Sequence, residues 1–327
     1  MHKRILIVGC GSIGHRHIRA LLSLGMDNIG ALRTRRGQVK NLAQDIQPLV
    51  KTFANEKEAY EWQPTHMVIS NPTSLHIRFV IKAMELNIPY FVEKPLCANM
   101  NEIINISGVK ISNGVVGYNL RFHGLFAKIK DVLSSGKYGD MISASLSVGH
   151  YLPFWHSEQD YSARYEARKD LGGGVLRTLS HEIDLAQYYF GRITKLYAKV
   201  EKLSKLKLDV DDNVDIIAKT EHGVRVKIHL DYLNPVPERF GRILFEHGLM
   251  EYDFINSNIF FTDYDNKKRL CLYSEKENYD TQYITQMDHF INGITEKACT
   301  ISQEIHNMKV IKASEIASER NVEVCLD

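Results

Sequence analysis

The stretch Arg4-Ile5-Leu6-Ile7-Val8-Gly9-Cys10-Gly11-Ser12-Ile13-Gly14 joins an apolar run to a G-x-G-x-x-G turn, and a helical pattern follows at once. Between a strand and a helix each glycine has its own task. Gly9 allows the tight turn, Gly11 lets backbone approach a pyrophosphate, and Gly14 lets the helix lie close to the strand. Ser12 and Ile13 open the helix whose N-terminal amides would receive the negative charge. Outward from this turn, apolar strand signals recur at residues 28–33, 66–70, 89–93 and 115–118, and helical patterns at 13–24, 38–47, 75–86 and 100–107. Strand–helix alternation with continuously apolar strands predicts a parallel sheet covered on both faces, with right-handed crossovers.

The pattern then changes. A helix is predicted near 122–134, and longer strands at 141–149, 193–203, 213–220, 224–232, 239–246 and 250–254. Several alternate with period two, as Val224, Val226, Ile228 and Leu230 do. That predicts a mostly antiparallel sheet with one face solvated or covered by a partner. Helical patterns return at 283–294 and 302–318. The expected fold class is an α/β N-terminal Rossmann domain, residues 1–119, plus an α+β C-terminal domain, residues 120–327, with a large, mostly antiparallel open sheet.

The bulk numbers exclude several classes. The 327 residues suffice for two domains, and 41 Lys+Arg against 39 Asp+Glu leave a net charge of +2. That balance gives no global attraction to nucleic acid or to an anionic membrane. Five scattered cysteines without a C-x-x-C pair argue against a zinc knuckle or a disulfide scaffold, so no metal is expected and a reducing, cytoplasmic setting fits. The first eight residues are too soon interrupted by Gly9 to read as a signal peptide. No stretch approaches the roughly 20 apolar residues of a membrane span.

About one strand–helix unit after the glycine turn comes Leu32-Arg33-Thr34-Arg35-Arg36. An acidic residue there would bond a ribose 2′-hydroxyl, whereas Arg33, Thr34, Arg35 and Arg36 suit a 2′-phosphate. NADP is therefore the expected cofactor and NAD the alternative; a solvated basic loop remains the bland reading. The loop Ser70-Asn71-Pro72-Thr73-Ser74-Leu75-His76 follows another strand and should line the same crevice. Lys94 ends the apolar run Tyr90-Phe91-Val92-Glu93-Lys94-Pro95. Partial desolvation or a cationic nicotinamide lowers the pKa of such a lysine, which can then polarise a carbonyl or relay a hydroxyl proton. Its plain alternative is a surface lysine paired with Glu93.

A second glycine run, Gly172-Gly173-Gly174, precedes Val175-Leu176-Arg177-Thr178-Leu179-Ser180-His181-Glu182-Ile183-Asp184. Read as one helix, Leu179, Ile183, Ala186 and Phe190 form the apolar stripe, and His181 lies opposite with Arg177, Asp184 and Tyr188. Between the two regions lies a loop rich in aromatics and hydroxyl binders, including Tyr151, Trp155, His156, Tyr161 and Arg164. Aromatic faces stack on sugar rings, and Arg, Tyr and His bond hydroxyls and carboxylates. A packed loop or a subunit interface is the competing account.

Gly9–Gly14, Asn71-Pro72 with His76, Glu93-Lys94-Pro95, Gly117-Tyr118-Asn119-Leu120-Arg121-Phe122 and residues 172–184 together resemble the glucose–fructose oxidoreductase / inositol dehydrogenase (Gfo/Idh/MocA) family over nearly the whole chain. The resemblance implies a Rossmann domain binding NAD(P), then a domain that holds substrate and, through its open sheet, makes a homodimer or homotetramer. It implies hydride transfer to or from a sugar or sugar-derivative carbon, with Lys94 and His181 catalytic. Asn71, Pro72, His76, Glu93 and Asn119 would neighbour the cofactor, and Arg121, Arg177, Thr178 and the aromatic loop the sugar. Residues 151–168 and the triple glycine also look like a subgroup associated with surface-polysaccharide and sialic-acid-like sugars. One departure stands out: Thr178 occupies a place where many relatives carry aspartate. A sensor of dinucleotide or sugar that performs no catalysis, or a redox-neutral elimination or hydrolysis with bound NAD, are the alternatives this leaves open.

Overall fold

The computed structural model describes residues 3–33, 41–106, 113–155 and 160–326. Its elements begin with β1 (Ile5–Val8), α1 (Ser12–Ser23), β2 (Ile29–Leu32), β3 (Lys51–Phe53), α2 (Glu56–Glu61), β4 (His66–Ile69), α3 (His76–Glu85), β5 (Tyr90–Val92) and β6 (Gly114–Val116). There follow α4 (Gly124–Ser134), β7 (Met141–Gly149), α5 (Val175–Thr178), α6 (His181–Phe190), β8 (Ile193–Glu201), β9 (Asn213–Thr220), β10 (Arg225–Asp231) and β11 (Glu238–Phe245). The last are β12 (Gly248–Asp253), β13 (Asn258–Asp263), β14 (Arg269–Ser274), α7 (Thr281–Ile291), β15 (Cys299–Thr300), α8 (Ile301–Arg320) and β16 (Val324–Cys325). Two compact units result: Met1–Phe122 with Asn278–Ile305, and His123–Glu277 with His306–Asp327.

The first unit holds a sheet in the order β15-β6-β5-β4-β1-β2-β3. Its neighbouring strands run parallel except for β15 against β6. Every residue of β1 is buried, as a central strand covered on both faces requires. Ile18 and Leu21 of α1 join Ile5, Ile7 and Phe91 of the sheet and Tyr283, Met287 and Phe290 of α7 in one core cluster. α3 lies against β4 and β5 and buries Phe79 and Val80. The sequence reading placed α7 within 120–327. Its buried positions Tyr283, Met287, Phe290 and Ile291 form a single helical stripe, and that stripe completes the core of the first unit.

The second unit holds the order β14-β13-β12-β11-β7-β10-β9-β8-β16. Only the β7–β10 pair is parallel; the other neighbours are antiparallel. Register explains its two faces. Ala218, Val226, Ala144, Ile243, Met250 and Phe261 align across six strands, and all are buried. The next row, Ile217, Lys227, Ser145, Arg242, Glu251 and Phe260, points to the opposite face. There Ile217 is exposed. α6 packs on β7 and β10, on the buried face.

Some expectations are corrected. Residues 41–46 are not helical; a turn leads into a 3-10 segment, Gln47–Leu49. Leu42 and Ile46 are buried at helical spacing, but Pro48 disfavours helix at the residue before it; residues 38–40 lie outside the described part. The helix expected at 100–107 is 3-10 over Met100–Ile106. β3, α2, β13 and β14 were not anticipated. Residues 177–190 are not one helix: α5 ends at Thr178 and α6 starts at His181. Asp184 is buried, where Asn307 of α8 donates to it at 3.0 Å, rather than on an open face. Among the described residues no helix is long and apolar enough to cross a membrane.

On the outer face of the second sheet His229 lies 2.8 Å from Asp215 and 3.3 Å from Asp231. The bond to Asp231, helped by Asp215 and opposed by burial, raises its pKa from 6.5 to about 9. A raised folded-state pKa gives stabilisation that is complete below the ordinary value and is lost as pH climbs through the folded one. The stability gap between the parent protein and His229→Gln is thus expected to be largest near pH 6 and gone above about pH 9. Its size should be at most about 1 kcal/mol, because the group is partly exposed. Urea unfolding across that range measures it, and a gap independent of pH would contradict the assignment.

Candidate active site

At the carboxyl edge of the first sheet, backbone bonds continue the ladder beyond the strand ends. Ser70 N–H donates to Val8 O (2.8 Å), Glu93 N–H to Ile69 O (2.9 Å) and Gly117 N–H to Val92 O (2.9 Å), while Arg33 N–H donates to Phe53 O (3.1 Å). Gly9, Ser70, Glu93 and Gly117 therefore stand in one row. The strand order turns back between β1 and β4, the place where open α/β sheets take ligands.

Gly9 has φ +90°, and a Cβ on it would lie 2.5 Å from Asn71 Cα. A Cβ on Gly14 would lie 2.2 Å from Gly9 O. Ser70 Oγ donates to that same carbonyl at 2.8 Å. Gly11 differs: a Cβ there meets nothing within 4 Å. Gly11 is also the N-cap of α1, makes no side-chain cap, and no acidic residue follows in the first turn. The first amides of α1, from Ser12 onward, are thus left to an anion. Arg33 is close enough for its charge to act on Cys10, where it opposes burial, and on His15, whose pKa is lowered by burial, Arg19 and Arg33. Burial outweighs it at Cys10, whose thiol is pushed up to about 11; at His15 burial acts in the same direction as Arg33. A turn open at Gly11, an uncapped helix start and a nearby guanidinium fit a dinucleotide diphosphate. Thr34, Arg35 and Arg36 lie outside the described residues.

Beyond the diphosphate turn, the buried Asn71 Oδ1 meets no hydrogen-bond partner among the described residues. Pro72 is the N-cap of the 3-10 turn Thr73–Leu75. His76 is buried, with Nδ1 2.9 Å from Pro95 O and Nε2 2.8 Å from Asn71 O. Burial lowers its pKa. Both its nitrogens are engaged by backbone, so it ties two loops together. Glu93 Oε1 accepts from His17 Nε2 at 2.7 Å, and the peptide between Lys94 and Pro95 is cis. Asn119 is buried in the 3-10 turn Asn119–Phe122. Arg121, expected at the sugar, makes hydrogen bonds within its own unit. Its side chain is 2% exposed, and its guanidinium donates to Ala298 O and Gln303 Oε1, each at 3.1 Å.

In the second unit the triple glycine serves the chain itself. A Cβ on Gly173 would lie 2.0 Å from Tyr165 O, and one on Gly174 would lie 2.3 Å from Asp211 Oδ1. Asp211 caps α5, taking Leu176 N–H on Oδ2 at 2.8 Å and Val175 N–H on its carbonyl at 3.1 Å. Burial raises the Asp211 pKa. Thr178 is buried at the end of α5, and His181, half-buried, opens α6. Beside His181, the buried Glu182 takes Arg239 Nε at 2.7 Å, and Asp184 takes Asn307 Nδ2 at 3.0 Å.

The loop cations are likewise engaged. Arg177 pairs with Glu315. Arg164 grips Glu166 through both carboxylate oxygens, at 2.5 and 3.1 Å. Tyr161 Oη accepts from Lys207 N–H at 3.1 Å. Trp155 Nε1 donates to His150 O at 3.3 Å, and Tyr151 meets Phe154 edge to face at 4.8 Å. His156 lies outside the described residues. Lys94 and His181 belong to different units. The residue that sequence reading missed is His17. Its signal is a histidine inside the buried stripe Gly14, His17, Ile18 and Leu21 of α1.

Residues 3–118 match the oxidoreductase family with an NAD-binding Rossmann fold, and residues 126–251 match the GFO/IDH/MocA C-terminal domain. An uncharacterized oxidoreductase of Bacillus subtilis, YrbE, is 25% identical over 61% of this chain and 58% of its own length. An inositol 2-dehydrogenase of Burkholderia multivorans is 23% identical over 70% of this chain and 67% of its own. The match thus spans about three fifths to two thirds of these relatives. A levoglucosan dehydrogenase solved with NADH and levoglucosan superposes over 100% of both chains with a TM-score of 0.87 at 16% identity, which establishes likeness of fold.

Because Arg121 serves its own unit, Arg121→Ala is expected to lower unfolding free energy by about 1.5–3 kcal/mol, the usual worth of hydrogen bonds from a charged group. Affinity for a bound sugar, measured by calorimetry, should not change. A stable variant that had lost sugar binding would restore the substrate role.

Proposed function

The chain belongs to the GFO/IDH/MocA oxidoreductase family, and on that footing we propose that it moves a hydride between a nicotinamide dinucleotide and a hydroxyl- or carbonyl-bearing carbon of a sugar or sugar derivative. The observation that carries this reading is the row at the carboxyl edge of the first sheet. An open glycine turn and a lysine-bearing loop leave the same edge of one sheet: the turn follows β1, at the point where strand order reverses, and the lysine loop follows β5, two strands away across it. A phosphate turn alone would serve any anion; a lysine on that edge adds a group for moving a proton.

When bound, the nicotinamide supplies the hydride acceptor or donor. The chain supplies the rest. Gly9–Gly14 and the start of α1 hold the diphosphate. Lys94 takes the proton from the substrate hydroxyl in oxidation and returns it in reduction, and His181 is our second acid–base candidate. Thr178 cannot act as a carboxylate would. Arg33, with Thr34, Arg35 and Arg36, is our basis for preferring NADP. The inositol 2-dehydrogenase relative supports a polyol or sugar as substrate class. Self-association we place on the outer face of the second sheet, where Ile217 and Phe240 are exposed.

Purified protein given NADP or NAD and a panel of polyols, sugars and sugar acids is expected to raise the absorbance of reduced nicotinamide with at least one of them. Lys94→Ala should cut that rate by about 10²–10⁴-fold, the range for losing an acid–base group. Tight dinucleotide binding without turnover over the whole panel would overturn the enzymatic reading in favour of a sensor.

Cofactor choice has its own measurement. Arg33→Asp removes a cation from the end of β2 and supplies a ribose acceptor, so it is expected to shift the ratio of NADP to NAD affinity by at least about tenfold toward NAD, a difference of about 1.4 kcal/mol. An unchanged ratio in titration calorimetry would remove Arg33 from the site.

A further inference from the structure

Three buried anchors surround Lys94 in sequence. On one side Glu93 Oε1 accepts from His17 Nε2 at 2.7 Å. On the other, Pro95 O lies 2.9 Å from His76 Nδ1, and Leu96 N–H donates to the buried Glu304 Oε1 at 3.1 Å. All belong to the first unit. His17 is the least expected of them. Its ring is fully buried, edge-on to Phe91 with centroids 4.9 Å apart and to Tyr283 at 6.1 Å. Its Nδ1 meets no hydrogen-bond partner among the described residues. A polar ring kept in that position at a desolvation cost must hold its one bond firmly.

The Glu93 carboxylate is confined from another direction as well. A Cβ on Gly117 would come within 3.0 Å of its Cδ and both oxygens. Glu93 therefore lies between the imidazole and the β6 loop, with little room to change rotamer. We propose that His17 is a positioning residue for Lys94, acting through Glu93, so that the helix opened by the glycine turn also sets where the amine stands. This rests on the function proposed above for Lys94. His17 touches neither substrate nor reacting atoms in this account. Its part is to fix the backbone that carries the amine, where a displacement of about 1 Å can cost about a hundredfold in rate.

The test uses the full chain and two readouts. Lysines are reductively methylated with ¹³C-formaldehyde, and the Lys94 resonance is assigned by its loss in Lys94→Ala. In His17→Leu that resonance is expected to move and to titrate at a different pH. In His17→Gln, whose amide can reach Glu93, it should return to the parent position. In the activity assay His17→Leu is expected to lower kcat by about 10- to 100-fold, with the dinucleotide Kd within about threefold, and His17→Gln to recover most of the rate. If His17→Leu does not fold, His17→Met carries the same comparison, since its thioether fills the space and donates nothing to Glu93. A Lys94 resonance and titration unchanged in His17→Leu, or in His17→Met if that variant must serve, would reduce His17 to a structural residue. Should the parent protein show no turnover at all, the function proposed above fails, yet the resonance still decides whether His17 positions Lys94.

Discussion

The first helix can start where it does only because Gly14 rests on the carbonyl of Gly9. A single methyl at that position would sit 2.2 Å from the oxygen, well inside van der Waals contact. Close approach there has consequences on both sides. It brings α1 down onto β1, so that Ile18 and Leu21 reach Ile5, Ile7 and Phe91 in the core. It also brings the first amides of α1 to the carboxyl edge of the sheet, and it lands His17 beside Glu93. One steric fact thus sets core packing, the anion site and the lysine loop together, since close-packed interiors transmit small displacements.

Elements with strong periodicity were legible in the sequence, and short ones were not. The runs behind β7 and β9 were read to the residue, because alternation over eight or nine positions leaves one register that buries the apolar set. β3 has three residues with two of them exposed, and α2 has six with only Ala59 buried. Neither is long enough to display a period. β14, at the edge of its sheet, buries none of its six residues fully, so its pattern carries little signal. The return of α7 to the first unit could not be read, because an apolar stripe announces that a helix must be covered but not by what.

For the site, residue types were legible and their partners were not. Arg121, Arg164 and Arg177 all read as candidate sugar contacts. Each is engaged within its own unit, by a backbone carbonyl and Gln303, by Glu166 and by Glu315 respectively. Ala298 and Gln303, which receive Arg121, and Glu315, which receives Arg177, lie more than a hundred residues away in the chain, beyond the reach of any local pattern. His17 shows the converse. A histidine on an apolar helical stripe looks like a misplaced surface residue until the carboxylate 76 residues away is seen to meet it.

The two glycine runs carry the same message at the level of motif and opposite meanings in space. At Gly11 the position of a missing Cβ is open, and the helix that follows has twelve residues with its first amides uncapped. At Gly173 and Gly174 the missing Cβ would strike the Tyr165 carbonyl and the Asp211 carboxylate. The helix that follows has four residues, and its first two amides are already taken by Asp211. A twelve-residue helix presents an aligned dipole to an incoming anion, whereas a single turn already capped by a carboxylate has nothing to offer one. What separates a binding turn from a packing turn is therefore where the absent side chain would have gone. At Gly11 it would have stood in open space before an uncapped helix, and at Gly173 and Gly174 it would have met the chain itself.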